Sequence, residues 1–290
     1  MMIGGTDKAP LDVIIIAQNE EANIKPCVSS VVGWAKQVFV VDAFSTDRTD
    51  EIARACGAQV YRHEFADWAA QRNWALANLP LDEDWVFFLD ADEFATPAFK
   101  QALAAKLNRP HPPNLAGISV NYVLYFLGKA LKHAYAHPAI VRIIRRGHAH
   151  WIGYGAREYC VLDGDLAQIE EPFPHMDRRG LSHWIQKQNQ NATRDATLLL
   201  GAQNPFSTKS PHQRVDRARR LWLQQAVYNR LPLYVRPFIY FLYRYIMRLG
   251  FLDGKAGFIY CFLHGLWYPL LIAAKVDEMR SENERRGEPY

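Results

Sequence analysis

Three carboxylates directly follow a run of bulky apolar residues, Trp85 to Leu89. The run predicts a buried strand, and Asp90, Asp92 and Glu93 stand at its end. Clustered like charges raise the cost of ionising one another, and a divalent cation removes that cost. Asp-x-Asp at the end of a strand is therefore a candidate seat for Mg²⁺ or Mn²⁺, which take oxygen ligands and retain waters or phosphate oxygens. A solvated acidic turn is the alternative interpretation.

The N-terminal third of the chain supplies a framework that can position these carboxylates. Short apolar runs predict strands at 11–17, 38–42, 59–61 and 85–89. Helical stretches between them are predicted at 21–33 and 66–78, and residues 45–50 offer capping residues for another helix that runs through Cys56. This alternation indicates a parallel sheet covered on both faces, in which ligands bind beyond the carboxyl ends of the strands. The polar residues at 18–20, 42–47 and 90–93 all follow strands, so we expect them to meet.

The pattern changes after Pro97. Strands at 118–126 and 140–145 predict a mixed or antiparallel extension of the sheet, and Asp163-Gly164-Asp165 predicts a hairpin turn. The later sequence is predominantly helical, with predicted helices at 181–200, 213–230, 233–249 and 255–279. We therefore divide the chain into an α/β domain over 1–178 and a helical region over 179–290.

Composition limits the function classes. Apolar residues make up 49% of 290 residues, enough for a large core, and the net charge is only +4. The four cysteines are widely spaced with no CxxC pair, which argues against a zinc site and a disulfide framework and suits a reducing compartment. The N-terminus has no apolar run typical of a secretory signal. No nucleic-acid recognition motif accompanies the basic residues, so no nucleic-acid partner is expected.

Four ordered motifs resemble family-2 glycosyltransferases of the GT-A fold. They are IIIAQNEE at 14–21, VVDAFSTD at 40–47, QRNWAL at 71–76 and LDADE at 89–93. Later segments resemble bacterial glucosyltransferases that build lipopolysaccharide core and related surface polysaccharides. These segments are 120–122, 126–129, 142–146 and GFLDGKAG at 250–257. The resemblance implies a Rossmann-like mixed sheet with helices on both faces, followed by a helical membrane-associating region.

The family resemblance implies an inverting hexosyl transfer from a nucleotide-diphosphate sugar, most often a UDP-sugar. It implies that Asp42 holds the uracil or ribose, that Asp90 lies near the ribose and that Asp92 binds the metal bridging the diphosphate. The other donor-binding positions it implies are Ala17, Asn19, Glu20 and Arg72, with Arg72 facing the diphosphate or base. One departure concerns Phe44, which stands where the family has glycine. Any left-handed backbone there is therefore expected to be strained.

The resemblance also points to a base and a histidine. Glu158 is the candidate base that takes the proton of the acceptor hydroxyl. Arg157, which replaces the family's usual histidine, can bind phosphate or neutralise Glu158. A surface carboxylate paired with Arg157 is the alternative for Glu158, and Glu93 is an alternative base. His175 resembles the histidine that precedes the helical region and contacts metal or diphosphate; a purely structural histidine is the alternative.

The C-terminal third is basic and aromatic. Nine Lys or Arg residues and one acid, Asp216, occur between Lys209 and Arg248, interleaved with Tyr, Phe and Trp. This composition suits the interface of an anionic membrane. Residues 256–274 carry no formal charge, but a proline and a histidine make them a poor spanning helix. We expect this segment to lie in or dip into the cytoplasmic leaflet, with a buried core helix as the first alternative and a full span as the second.

Taken together, the residues and the resemblance predict a glycosyltransferase that depends on Mg²⁺ or Mn²⁺. The expected donor is a UDP-hexose, and the expected acceptor is a lipid-linked or lipopolysaccharide-type saccharide. The expected location is the cytoplasmic side of the bacterial inner membrane, as a peripheral or monotopic protein. A non-catalytic nucleotide-sugar-binding or scaffold protein is one alternative. A nucleotidyltransferase is another, although residues 17–24 lack its glycine-rich loop.

Overall fold

A computed structural model describes residues 8–136, 139–154, 157–201 and 231–286. The chain divides into two compact units. The first comprises Met1–Tyr125, His137–Gly153 and Arg157–Arg179, and the second comprises Phe126–Ala136, Tyr154–Ala156 and Gly180–Tyr290. The division into a catalytic domain over 1–178 and a membrane-associating region over 179–290 remains a prediction.

Strands and helices alternate over residues 9–107, as the sequence predicts, and among the described residues six strands follow before the next helix. The strands are β1 Ala9–Ala17, β2 Ala35–Asp42, β3 Gln59–Arg62, β4 Trp85–Asp90, β5 Leu115–Phe126, β6 Lys129–Ala130, β7 Ala139–Arg145, β8 Ala149–Tyr154, β9 Arg157–Leu162 and β10 Asp165–His175. The helices are α1 Ile24–Val31, α2 Thr49–Ala55, α3 Trp68–Asn78, α4 Pro97–Leu107, α5 Gly180–Leu200, α6 Arg236–Leu242, α7 Gly254–Tyr260 and α8 Tyr268–Arg286.

The central sheet has the strand order β10-β5-β7-β4-β1-β2-β3. Strands β1 to β4 are mutually parallel where they pair, and β10 is parallel to β5. Strand β7 is antiparallel to both β4 and β5, which makes the sheet mixed. The predicted α/β class with a mixed or antiparallel extension is therefore confirmed.

The apolar runs of β1 and β4 are continuous because both faces of these central strands are covered. Side chains from Val13 to Ile15 and from Val86 to Leu89 have no exposed surface. One face of the sheet packs on α1, α2 and α4, and the other packs on α3 and β8. A strand buried on both faces has no polar alternation, which is why the sequence signal is a plain apolar run.

The predicted hairpin at Asp163-Gly164-Asp165 is wrong. Strand β9 pairs with β8 in a separate two-stranded sheet, whereas β10 joins the central sheet parallel to β5. Gly164 has a φ of +140°, and a Cβ there would lie 2.3 Å from the carbonyl oxygen of Asn114. The glycine therefore serves a close backbone approach between two sheets rather than a turn within one hairpin.

The second unit is helical over its described residues from Gly180 onward. Helix α5 matches the predicted 181–200, whereas the predicted helix at 213–230 lies outside the described residues. Helix α6 continues as a π-helical stretch at Tyr243–Met247, and a 3-10 turn at Gly250–Asp253 leads into α7, a second π-helical stretch at Cys261–Trp267 and α8. Within the described ranges, one helical segment, Gly250–Arg286, is long and apolar enough to cross a membrane by length and composition alone.

Candidate active site

The register of the sheet brings three strand ends side by side. Ala17 at the end of β1 pairs with Asp42 on β2, and Ile16 pairs with Asp90 on β4. Parallel neighbours end on the same edge of a sheet, so the polar residues that follow these strands share one edge. The structure thus assembles the three predicted polar segments in one place.

Hydrogen bonds tie the loop after β1 to the loop after β2. The backbone N–H of Asn19 donates to Ser45 Oγ at 2.8 Å, and the N–H of Thr46 donates to Asn19 Oδ1 at 2.8 Å. The N–H of Glu20 donates to Thr49 Oγ1, also at 2.8 Å. These bonds fix the backbone on which the predicted donor-binding residues Asn19 and Glu20 stand.

Asp42 closes the turn that follows β2. Its fully buried carboxylate accepts hydrogen bonds from the backbone N–H of Ser45 at 3.1 Å and from the Ser45 hydroxyl. Phe44, within this turn, has a φ of +54°, and its side chain is 56% exposed. The left-handed backbone is therefore present at Phe44 without glycine, a conformation that costs free energy for a residue with a side chain.

Asp90 lies between two arginines. Arg72 Nη2 donates to its Oδ1 at 2.7 Å, and Arg142 donates to both of its oxygens. Burial alone would raise the pKa of Asp90, but the two guanidinium groups outweigh that effect and hold the pKa well below its usual range. The predicted ribose contact thus stands in a paired, permanently ionised cluster.

Arg142 belongs to the segment 142–146 of the family resemblance, but the sequence pattern does not reveal its role at the site. It lies in β7 within the apolar run from Ile140 to Ile144. A charged residue in an otherwise apolar buried strand is itself a signal, because such residues are rarely buried unless paired. Its carboxylate partners are distant in sequence, however, so the pairing was not visible from the pattern.

Glu93 is buried and uses both carboxylate oxygens. Its Oε2 accepts the backbone N–H of Asp90 at 2.9 Å, and its Oε1 accepts Arg142 Nη2 at 2.7 Å. The same Oε1 lies 3.4 Å from Nδ1 of His175. Glu93 therefore holds Arg142 and His175 in position and has no free oxygen facing solvent.

Asp92 and His175 face each other across the site. The N–H of Met176 donates to the carbonyl oxygen of Asp92 at 2.7 Å, which ties the end of β10 to the acidic segment. As a result, His175 Nε2 lies 3.4 Å from Asp92 Oδ2. Burial would lower the pKa of His175, but the carboxylates of Asp92 and Glu93 outweigh it and raise the pKa to about 9.

Glu20 extends the acidic edge toward Asp92. Its carboxylate binds Arg179 Nη1 at 2.7 Å and accepts from Asn23 Nδ2 at 2.8 Å. Burial, with a further contribution from the negative charge of Asp92, raises the pKa of Glu20 to about 7. Arg179 also pairs with Asp177 at 2.7 Å, so this arginine anchors the segment after β10. The sequence interpretation included neither Arg179 nor Asn23.

Glu158 lies on β9, and Arg72 is its partner. Arg72 Nε donates to Glu158 Oε1 at 2.8 Å, whereas Glu158 Oε2 is buried and has no hydrogen-bond partner in the part of the chain that the structure describes. Arg72 itself lies 5.2 Å from the centroid of the Phe88 ring, and its Nη1 also lacks a partner. The side chain of Arg157 lies outside the described residues. The arginine that pairs with Glu158 is thus one from α3, 86 positions away.

The resemblance implies a Mg²⁺ or Mn²⁺ ion at this site, with Asp92 and His175 as its candidate ligands. In the described ranges, no group of three His, Cys, Asp or Glu side chains has a spacing that would enclose a metal ion. Asp92 and His175 nevertheless bring a carboxylate oxygen and an imidazole nitrogen within 3.4 Å. Adjacent ligands of an octahedral Mg²⁺ lie roughly 3 Å apart, because each bond is about 2.1 Å long. The pair therefore fits a cation that takes its remaining ligands from water and phosphate oxygens.

A mixed α/β sheet with an acid-lined edge at its parallel strand ends defines a ligand-binding enzyme core of the GT-A kind. The family model described as glycosyl transferase family 2 matches residues 12–156, half of the chain. The chain belongs to this family and is a glycosyltransferase, as the sequence predicted.

Similar proteins agree with this assignment. The lipopolysaccharide core biosynthesis glycosyltransferase LpsC of Rhizobium meliloti (strain 1021) is 26% identical, with 93% of this chain and 92% of LpsC aligned. An uncharacterized glycosyltransferase of Rickettsia bellii (strain RML369-C) is 36% identical over 29% of this chain and 28% of its own length. The mannosyltransferase PcManGT from Pyrobaculum calidifontis, solved with GDP-Man and Mn²⁺, has a TM-score of 0.52 at 16% identity, covering 93% of this chain and 88% of that chain. The predicted GT-A fold is confirmed.

Proposed function

We propose that this protein transfers a hexose, with inversion, from a UDP-sugar to a saccharide acceptor carried on a lipid or on lipopolysaccharide. The observation that carries the proposal is the pairing of Asp92 with His175 at the edge where three strand ends meet. The name of the relative LpsC supports an acceptor of the lipopolysaccharide-core type. The work expected of each residue follows from its contacts.

Asp92 and His175 would hold a Mg²⁺ or Mn²⁺ ion. When bound, the ion supplies a Lewis acid that neutralises the charge developing on the departing diphosphate. Glu93 is proposed as the residue that orients His175, since its Oε1 lies 3.4 Å from Nδ1 and leaves Nε2 directed at Asp92. Such carboxylate support for a ligating histidine fixes its orientation.

The nucleotide-sugar donor is proposed to lie along the hydrogen-bonded loops after β1 and β2. The positions assigned to it are Ala17, Asn19, Glu20, Asp42, Arg72, Asp90 and Arg157. Asp42 and Ala17 are paired in register, and Asp90 follows on the next strand. Arg72 acts through Asp90 and Glu158, to which it donates, and its unpartnered Nη1 offers a further donor to a phosphate or a sugar hydroxyl.

Glu158 is proposed as the base. Its Oε1 is held by Arg72, while its Oε2 has no partner among the described residues and can accept the proton of an acceptor hydroxyl. A buried, unpaired carboxylate oxygen is costly in a folded protein, and substrate binding would satisfy it. Glu93 is disfavoured for this role because both of its oxygens are already engaged.

The acceptor is proposed to be membrane-bound. Among the described residues, a single helical segment, Gly250–Arg286, is long and apolar enough for a span, and it belongs to the second unit. A peripheral or monotopic position at the cytoplasmic face of the inner membrane would give the site access to a lipid-linked saccharide.

The first test measures donor binding. Titration calorimetry with UDP is expected to show binding with Mn²⁺ and little binding without it. Asp92→Asn is expected to abolish the metal-dependent part, whereas Asp163→Asn, at an exposed position in the same unit, should bind like the wild type. Equal UDP binding with and without Mn²⁺ would contradict the metal role.

The second test separates binding from turnover. Glu158→Gln is expected to retain UDP binding and to lose donor hydrolysis and sugar transfer by at least about a hundredfold, the range of general-base catalysis. Glu170→Gln, at an exposed position on β10, is the matched control and should leave turnover unchanged. Retained turnover in Glu158→Gln would remove Glu158 from the mechanism.

A further inference from the structure

The second unit presents an exposed apolar face, here called the hairpin face. Thirteen large apolar side chains between Tyr234 and Phe262 are exposed, and Met247 is 75% exposed. No large apolar side chain among the described residues after Phe262 is exposed. The residues of the hairpin face are Tyr234, Val235, Phe238, Ile239, Leu242, Tyr243, Ile246, Met247, Leu249, Phe251, Leu252, Phe258 and Phe262.

Two helical arms carry this face. The first arm runs from α6 through Met247, and its exposed residues recur at the three- and four-residue spacing of one helix side. The chain then reverses into the second arm, which begins with α7 at Gly254. Helix α6 packs against the π-helical stretch Cys261–Trp267 of this second arm. The first arm has seven α-helical and five π-helical residues, so it is about 18 Å long. That length is too short to cross a hydrocarbon core of about 30 Å.

Asp253 builds the turn between the arms. Its buried carboxylate accepts the backbone N–H groups of Lys132, His133 and Ala134 at 3.1, 2.9 and 2.7 Å. The turn is tight, because a Cβ on Gly257 would lie 2.3 Å from the carbonyl oxygen of Gly250. The motif at 250–257 thus holds the 126–136 segment against the tip of the hairpin.

This arrangement places positive charge beside the apolar face. Lys129, Lys132 and Lys255 are all exposed, and Lys129 Nζ is 3.4 Å from the position of a Cβ on Gly254. Asp253 is the single acid in 126–136 and 231–276, and its charge is buried and satisfied by the backbone. The exposed formal charges in the stretches 126–136 and 231–276 are therefore all positive.

Apolar and tyrosine side chains next to lysines match one environment, the interface of an anionic lipid bilayer. A second copy of the chain would bring like charges together at the same tip. Residues 202–230 carry six Lys or Arg and one acid, so this segment has the same sign of charge. A second copy and residues 202–230 are therefore poorer partners for the lysines than acidic lipid headgroups are.

We propose that the hairpin face docks on an anionic phospholipid surface, with both arms lying in the interface rather than crossing the bilayer. The inference rests on the proposed membrane-bound acceptor and identifies the residues that meet the membrane. The apolar side chains enter the headgroup boundary, and the three lysines contact acidic headgroups. This location differs from residues 256–274, because the exposed apolar residues lie mostly before position 256.

The test is flotation of the full-length protein with preformed vesicles. Wild type is expected to bind vesicles rich in phosphatidylglycerol at low salt and to bind phosphatidylcholine vesicles weakly. The double variant Met247→Glu, Phe251→Glu should bind at least about tenfold more weakly, because it removes two inserting side chains. Replacing the three lysines by glutamine should weaken binding about fivefold per lysine and remove most of the salt dependence.

Leu199→Glu is the matched control, since Leu199 is 58% exposed on α5 but lies outside the hairpin face. It should float like the wild type. Alkaline carbonate should release the wild-type protein, because no segment spans. Wild-type protein that fails to bind anionic vesicles, a double variant that binds normally, or resistance to carbonate would each overturn the proposal.

Two further readouts separate the remaining explanations. Light scattering without vesicles reports the oligomeric state: a dimer that the double variant converts to monomers would mean that a second copy covers the face, against the proposal. UDP binding with Mn²⁺, measured on the same samples, tests the proposed function separately. Lost vesicle binding with retained UDP binding is the expected result for the double variant.

Discussion

Each unit of the molecule contains a carboxylate that several donors bind, and the two are stabilised in opposite ways. Asp90 in the first unit is neutralised by the guanidinium groups of Arg72 and Arg142. Asp253 in the second unit has no cation against its oxygens among its described hydrogen bonds; three backbone N–H groups bind it. In both cases the charge of the carboxylate is compensated, but only the arrangement around Asp90 leaves buried side-chain atoms without a hydrogen bond.

Among the described residues, the buried side-chain atoms without a hydrogen bond all lie in the first unit. Four buried side-chain atoms in the described residues have no hydrogen bond: Asp12 Oδ1, Arg72 Nη1, Arg142 Nε and Glu158 Oε2. Three of them belong to the network around Asp90. By contrast, both oxygens of Asp253 are bonded. The side-chain pairs around Asp90 thus form a network with unsatisfied atoms that a bound ligand can satisfy. The backbone amides around Asp253 instead satisfy both of its oxygens. We therefore interpret the first arrangement as a binding site and the second as a structural turn.

The largest expected effect comes from breaking the guanidinium network. Arg142→Met should destabilise the protein by about 3–5 kcal/mol, because it removes the arginine paired with the buried Glu93 and one of the two arginines paired with Asp90. Urea unfolding at pH 7 measures this. Arg145→Met is the control on the same strand, where the partner Asp84 is 3.8 Å away and exposed. Similar losses in the two variants would show that Asp90 does not depend on Arg142.

The second prediction tests whether Asp253 needs its charge or only its acceptors. Asp253→Ala should cost about 2–3 kcal/mol, since three N–H groups lose their acceptor. Asp253→Asn should cost less, because one amide oxygen remains. Hydrogen exchange should accelerate at residues 132–134 in both variants. A full loss in Asp253→Asn would show that the negative charge, and not the acceptor geometry, stabilises the turn.

The third prediction concerns the link between the buried network and the proposed metal pair. Glu93→Gln should weaken Mn²⁺ binding about tenfold, because it loosens the support of His175. Manganese titration followed by electron paramagnetic resonance measures the affinity without requiring turnover. The exposed Glu171→Gln on β10 is the control. Unchanged affinity in Glu93→Gln would limit Glu93 to a structural role.

The smallest effect is expected where two arginines meet an acid near solvent. Hydrogen bonds from Arg54, and then from Arg62, lower the pKa of Asp50, but both arginines are more than half exposed. Asp50→Asn should therefore cost less than about 1 kcal/mol at pH 7. A lowered pKa stabilises the fold above the unfolded-state value of about 3.9.

The difference between wild type and Asp50→Asn should accordingly stay constant from pH 7 to about pH 5 and shrink as the pH falls below about 4. Urea midpoints at several pH values provide the measurement. A difference that grows on acidification would reverse the sign of the proposed linkage. A loss as large as that of Arg142→Met would remove the contrast between buried and exposed pairs.

Much of the first unit could be predicted because its signals are local. The apolar runs at 11–17 and 85–89 mark strands that are buried on both faces, and the acids follow where those strands end. The left-handed turn at Phe44 was also foreseeable, since its motif normally carries glycine at that position. Each of these features depends on neighbours within a few residues.

Other features could not be read from the sequence. The pairing of Arg72 with Glu158 joins residues 86 positions apart, and Arg142 reaches Asp90 over 52 positions. The hairpin predicted at 163–165 is wrong because strand β10 pairs with β5 in the central sheet and not with β9. Nothing in the local pattern distinguishes these partners from others of the same residue type.

By itself, the sequence determined which segments become strands and helices and which residue types stand at the strand ends, because backbone sterics and apolar periodicity act over short stretches of chain. Only the tertiary structure decided which arginine neutralises which carboxylate, which oxygen stays free and which apolar side chains of the second unit remain exposed. Those outcomes depend on distances between remote residues, and electrostatic and packing energies change steeply with such distances.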